Sequence, residues 1–123
     1  LSDWSSDVCS SDLQVPGITL ETLCRRYLTS EEIDSIDLIK IDTEGHDCLI
    51  LDSSREFIDS LRPTIIIEWF SSFDNAQAEA MFEIIASLDY VALYPKNFKF
   101  ADATEPSEDL LLIHRSKLDD FLR

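Results

Sequence analysis

Along this chain the spacing of apolar residues switches repeatedly between the period of a helix and that of a buried strand. Leu20, Leu23, Cys24, Tyr27 and Leu28 fall at i, i+3, i+4, i+7 and i+8. That is one helical face, and it predicts a helix from Thr19 to Leu28 after Pro16-Gly17. Thr29 and Glu32 make a capping-box pattern for a short turn. Residues 36–42, IDLIKID, are nearly continuously apolar at Leu38, Ile39 and Ile41, as a parallel strand covered on both faces would be. Thr43-Glu44-Gly45 then reads as a tight turn, and a helix begins near His46. Ser53 and Glu56 offer a second capping box ahead of Phe57, Ile58 and Leu61, and Pro63 stops that helix. Residues 64–69, TIIIEW, form a second buried strand. Asp74 or Asn75 caps a helix with the stripe Ala78, Met81, Phe82, Ile85 and Leu88, for which core packing is sufficient reason. Strands follow at 90–94 and 110–114, joined through Pro95, Lys96, Asn97 and an acidic stretch.

Strands that alternate with helices imply an α/β fold with parallel pairing and right-handed crossovers. The link between the last two strands contains no helix, so those two are expected to be antiparallel. The 123 residues suffice for one compact domain. Residues 1–13, LSDWSSDVCSSDL, stand apart: they repeat Ser-Ser-Asp and fit neither period. The string resembles the translation of a sequencing adapter. It is therefore expected to be a non-native or disordered leader, with the domain proper spanning 14–123.

Composition narrows the function. The formal net charge is −15. Such a surface repels phosphate backbones and anionic headgroups, which argues against nucleic acid as a partner. Two glycines in the whole chain argue against a glycine-rich phosphate loop within it. Cys9, Cys24 and Cys48 have no C-x-x-C spacing and read as reduced thiols of a cytoplasmic protein. No apolar run approaches the roughly 20 residues of a membrane span, and the first residues lack the pattern of a signal peptide.

In an open α/β sheet, ligands bind beyond the carboxyl ends of the strands. Asp42 ends the first strand and Glu68 lies at the end of the second; between them the turn reads Asp42-Thr43-Glu44-Gly45-His46-Asp47. Simple structural roles exist for each. Acids suit the first turn of a helix at Glu44 and Asp47, Asp42 can brace the turn by accepting N–H bonds, and Gly45 can supply a positive φ. Two chemistries also fit. A carboxylate or His46 can take a proton from an attacking hydroxyl. Alternatively Asp42, Glu44 and Glu68 can hold a divalent cation, as in a metal-dependent hydrolase. A non-catalytic binding module is the third reading.

The run IDLIKIDTEGHD at 36–47 resembles the signature of the FkbM family of S-adenosylmethionine-dependent methyltransferases. ITLETL at 18–23, RPTIIIE at 62–68 and LDY at 88–90 resemble its flanking segments, so the likeness runs over about residues 15–115. It implies a Rossmann-like class I methyltransferase fold of which this chain supplies strands four to seven. The cofactor's main binding loops would then belong to strands one to three. By the same resemblance the activity is O-methylation of a sugar, lipid-linked or polyketide hydroxyl. Asp42, His46 and Glu44 are the catalytic candidates, Asp42 and Thr43 face the cofactor, Glu68 and Trp69 face the acceptor, and no resident metal is implied. The sequence departs from the family pattern at Asp52-Ser53-Ser54 and at Asp89, both where glycine is usual. Without its upstream neighbours the strand at 36–42 is expected to become an exposed apolar edge, leaving the chain unstable and weak in cofactor binding.

Overall fold

The computed structural model describes residues 17–123. The leader expected at 1–13 lies outside the described residues. The chain divides into two units, Leu1–Ser35 and Ile36–Arg123.

The first unit contributes α1 (Leu20–Tyr27) and α2 (Ser30–Asp34). Thr19 caps α1 by accepting the Thr22 N–H at 3.1 Å. The capping box expected at Thr29 and Glu32 is made in full: the Thr29 hydroxyl accepts the Glu32 N–H, and the Glu32 carboxylate accepts the Thr29 N–H.

The second unit runs β1 (Leu38–Lys40), α3 (Asp47–Ser53), α4 (Arg55–Leu61), β2 (Thr64–Glu68), α5 (Asn75–Ser87), β3 (Tyr90–Leu93), β4 (Asp109–His114) and α6 (Leu118–Phe121). A 3-10 turn at Arg115–Lys117 precedes α6, and neither was foreseen from the sequence. The strands lie in the order β1-β2-β4-β3. β1 is parallel to β2, and β4 is antiparallel to both β2 and β3. The expected antiparallel pair is therefore present. No local pattern along the chain foretells that β4 enters between β2 and β3.

The main apolar cluster lies on one face of this sheet, with Leu93 and Ile113 buried on the other. Ile65 and Ile67 of β2 are in register with Leu112 and Leu110 of β4, and Ala92 of β3 pairs with Leu112. Leu51 of α3, Ile58 of α4 and the stripe Ala78, Met81 and Ile85 of α5 join them in one cluster. Each fully buried aliphatic side chain contributes roughly 2 kcal/mol. Trp69 belongs to this cluster too, its ring edge-on to Phe82 at a centroid distance of 5.7 Å.

Four sequence expectations need correction. β1 is shorter than 36–42, and Leu38 is 58 % exposed, so the strand is not covered on both faces. It stands at the edge of the sheet, and among the described residues no strand pairs with its outer side. The Ser53–Glu56 capping box is not made: Ser54 is the N-cap of α4 without a side-chain bond, and the Ser53 hydroxyl donates to the Ile50 carbonyl. Glu44 is not in a helical turn, since α3 begins at Asp47. Trp69 lies one residue beyond β2. Elsewhere local chemistry is as expected. Asp74 caps α5 in a box with Gln77. Pro63 follows the end of α4, where Arg62 turns left-handed at φ 49°. Asp89 takes φ 64° where glycine is usual. Among the described residues no helix is long and apolar enough to cross a membrane.

Candidate active site

The turn after β1 is built around Asp47. This side chain is 3 % exposed, yet it carries a carboxylate, so its lone pairs require donors. It receives three. The Thr43 N–H and hydroxyl both donate to Oδ1, and the Glu68 N–H donates to Oδ2 at 2.8 Å. One buried carboxylate thus ties the turn to the end of β2. Asp42, expected to brace the turn, does not have this role. Thr43, expected to face the cofactor, has both its donors committed to Asp47. Glu44 and Gly45 take φ of 53° and 106°. A side chain at Gly45 would stand 3.4 Å from the Phe70 ring, so glycine is favoured there by conformation and by space. His46 is the N-cap residue of α3, with Nδ1 3.3 Å from the Thr43 carbonyl oxygen.

Clamping the turn fixes what stands opposite. Lys40 pairs with Ile66 and the Ile41 N–H donates to the Ile66 carbonyl, so the parallel register carries Asp42 to a position opposite Glu68. Glu68 pairs in turn with Asp109, the first residue of β4. Asp42, two residues beyond β1, thus joins Glu68 of β2 and Asp109 of β4 in a row on the sheet face opposite the main cluster, at the carboxyl end of the parallel strands. The Asp42 carboxyl hydrogen-bonds that of Glu68. Oε2 of Glu68 is buried without a partner. The bond to Asp42, desolvation, and the charges of Asp42, Asp47 and Asp109 together push the Glu68 carboxyl above the usual carboxylate range.

Asp109 also begins the wall of an open cleft of about 740 Å³. The loop 94–108 forms the rest, with Tyr94, Pro95, Lys96 and Asn97 on one side and Thr104 to Glu108 on the other. The Trp69 N–H donates to the Glu108 carbonyl at 2.9 Å, which fastens this wall to the end of β2.

The expected site residues thus separate. Asp42 and Glu68 are brought together. His46, Thr43 and Glu44 stay on the turn beside them. Trp69 is in the core at 5 % exposure. Asp47 and Asp109 were not singled out from the sequence. Asp47 was visible only as one acid in a cluster, and Asp109 only as a residue just before an apolar strand. Among the described residues no three acids, imidazoles or thiols converge as a metal site requires, so the Asp42, Glu44 and Glu68 set does not assemble into the ligand group a metal-dependent hydrolase would need. Cys24 and Cys48 are free thiols. Burial, then the neighbouring Asp47, pushes the Cys48 thiol up to about 12, which makes it a poor nucleophile.

The four-stranded mixed sheet with helices between its strands is consistent with an α/β methyltransferase fold. The sequence matches the Methyltransferase FkbM domain over residues 3–92, from within the Ser/Asp-rich leader to β3. The chain belongs to the FkbM methyltransferase family. Comparison with curated proteins and with solved structures found no match.

Proposed function

We propose that this chain is part of an S-adenosylmethionine-dependent O-methyltransferase of the cytoplasm, in which the Asp42–Glu68 pair takes the proton from an acceptor hydroxyl. In this reading β1 to β4 are strands four to seven of a class I methyltransferase sheet, and the acceptor is a hydroxyl on a sugar, lipid-linked or polyketide molecule. The observation that carries it is the carboxyl pair opposite the clamped turn, in a chain of this family.

The residues present fit the cofactor's charge. S-adenosylmethionine supplies an electrophilic methyl on a cationic sulfonium. The unpartnered Oε2 of Glu68 and the surplus of negative charge around it favour a cation nearby. Asp42 and Glu68 would stand on its side of the cleft. Glu68, pushed above the ordinary carboxylate range first by its bond to Asp42, is the stronger base of the two and in its ionised form would take the proton released by the attacking hydroxyl. Asp47 keeps both residues in place through the turn and the end of β2. Glu44 and His46 border the pair, and Thr43 acts through Asp47.

The test is methyl transfer by the intact protein, with Asp42→Asn, Glu68→Gln and His46→Ala compared. Asp42→Asn and Glu68→Gln are expected to lower kcat by about 10²-fold or more, the usual loss when a general base is removed. His46→Ala should cost less than about tenfold on the same scale. The wild-type rate should climb with pH through a value above the ordinary carboxylate range, because a raised base becomes competent only there. A collapse with His46→Ala alone would move the base to the imidazole. No methyl transfer from S-adenosylmethionine to any hydroxyl acceptor would end the reading.

A further inference from the structure

The cleft along the loop 94–108 has a built interior rather than a loose one. Loops longer than roughly 12 residues without regular structure are usually functional or disordered, and this one is held by its own bonds. The Tyr94 N–H donates to the Lys99 carbonyl at 2.9 Å, and the Ala101 N–H donates to the Ala92 carbonyl at 2.9 Å. The Tyr94 hydroxyl donates to the Glu105 carbonyl at 2.9 Å and accepts the Asp102 N–H at 3.2 Å. The Thr104 N–H donates to the Asp102 carboxylate at 2.8 Å. The hydroxyl and N–H of Thr104 hold the Asp102 carboxyl below its usual range, so the hinge of the loop keeps its charge. Both strands of the cleft wall are therefore set before any ligand arrives, which lowers the ordering cost of binding.

Its lining states what fits. Tyr94, Pro95 and Pro106 give apolar surface, and Asn97, Thr104 and Ser107 give donors and acceptors of both kinds. Interleaved apolar and two-way polar groups match a molecule whose ring carries hydroxyls. The charges of the lining residues are unequal: three acids, Glu105, Glu108 and Asp109, against one ammonium, that of Lys96. A phosphorylated or acidic ligand would meet like charge along most of the wall, whereas an amine would meet the opposite sign.

We propose that the cleft between residues 94–97 and 104–109 binds an amine-bearing polyhydroxy molecule of the amino-sugar type, with Glu105, Glu108 and Asp109 receiving its ammonium group. This deepens the methyltransferase reading only in making that molecule the acceptor; the binding itself stands without it.

The experiment is calorimetric titration of the chain, with no methyl donor, against three matched probes: methyl glucoside, its 6-amino-6-deoxy form and its 6-phosphate. The amine is expected to bind saturably and about tenfold more tightly than the neutral glycoside, the sum of a few exposed charge pairs. The phosphate should show no saturable binding. The double change Glu105→Gln and Glu108→Gln, at exposed positions where folding is retained, should remove the amine's advantage, and Lys96→Gln should enlarge it. Equal binding of amine and neutral glycoside, tighter binding of the phosphate, or no saturable binding of any probe would each overturn the proposal. Amine binding by this chain without methyl transfer by the intact protein would leave the cleft and remove the methyltransferase reading. Methyl transfer without amine binding would do the reverse.

Discussion

Asp47 shows how one residue can organise a site without touching a substrate. It is buried, charged and bonded to three donors, two of them backbone N–H groups from segments 25 residues apart in the case of Thr43 and Glu68. Asp47→Ala removes the acceptor and leaves those N–H groups enclosed. An orphaned buried group costs about 1–3 kcal/mol, so the substitution is expected to cost about 3 kcal/mol in urea unfolding and to speed hydrogen exchange at Thr43 and Glu68. A loss under about 0.5 kcal/mol, with exchange unchanged, would mean that the clamp is not holding the turn. The sequence placed Asp47 among several acids in a row and could not rank them. What singles it out is burial, and burial depends on β2 lying alongside.

Among the elements, the helix starts separate caps that bond from caps that only sit in position. Asp74 accepts the Gln77 N–H at 2.8 Å and Gln77 returns the bond to the Asp74 N–H. Asp74→Ala should cost about 1 kcal/mol. Ser54 holds the same position before α4, but its hydroxyl is buried with no partner. Ser54→Ala should therefore be neutral or slightly stabilising, since it deletes an unsatisfied polar group and keeps the volume close. Paired denaturation curves of the two variants decide the matter: equal losses would refute the distinction. Helix periodicity, the bonded caps at Thr29 and Asp74, the turn at Gly45 and the left-handed Asp89 were legible in the sequence, because each is set by residues within a few positions. The Ser53–Glu56 box was a false match of the same local pattern, and the α3–α4 break displaced it by one residue.

Over the whole molecule the sheet has an unequal pair of edges. β1 is three residues long, parallel to β2, and presents Leu38 to solvent. An apolar edge strand is a template for pairing with another chain. Leu38→Lys is expected to shift the chain toward the monomer in light scattering across a concentration series, while leaving its unfolding midpoint nearly unchanged. Association that is independent of residue 38 would place the sticky surface elsewhere. The opposite end of the sheet is closed differently. β4 returns from the long loop to lie inside β3, and its first residue, Asp109, completes the carboxylate row.

The sequence by itself determined the element order, the α/β class, most caps and turns, and the family signature around Asp42, because hydrophobic period, capping and turn chemistry act over short stretches of chain. It also brought Asp42 and Glu68 into view as acids at strand ends. Tertiary structure alone decided that those two share a bond, that Asp47 is the clamp, that Trp69 is in the core, and that Asp109 joins the row and opens the cleft. Each of these follows from strand order and register, in which residues far apart in sequence become neighbours, and no local pattern records that choice.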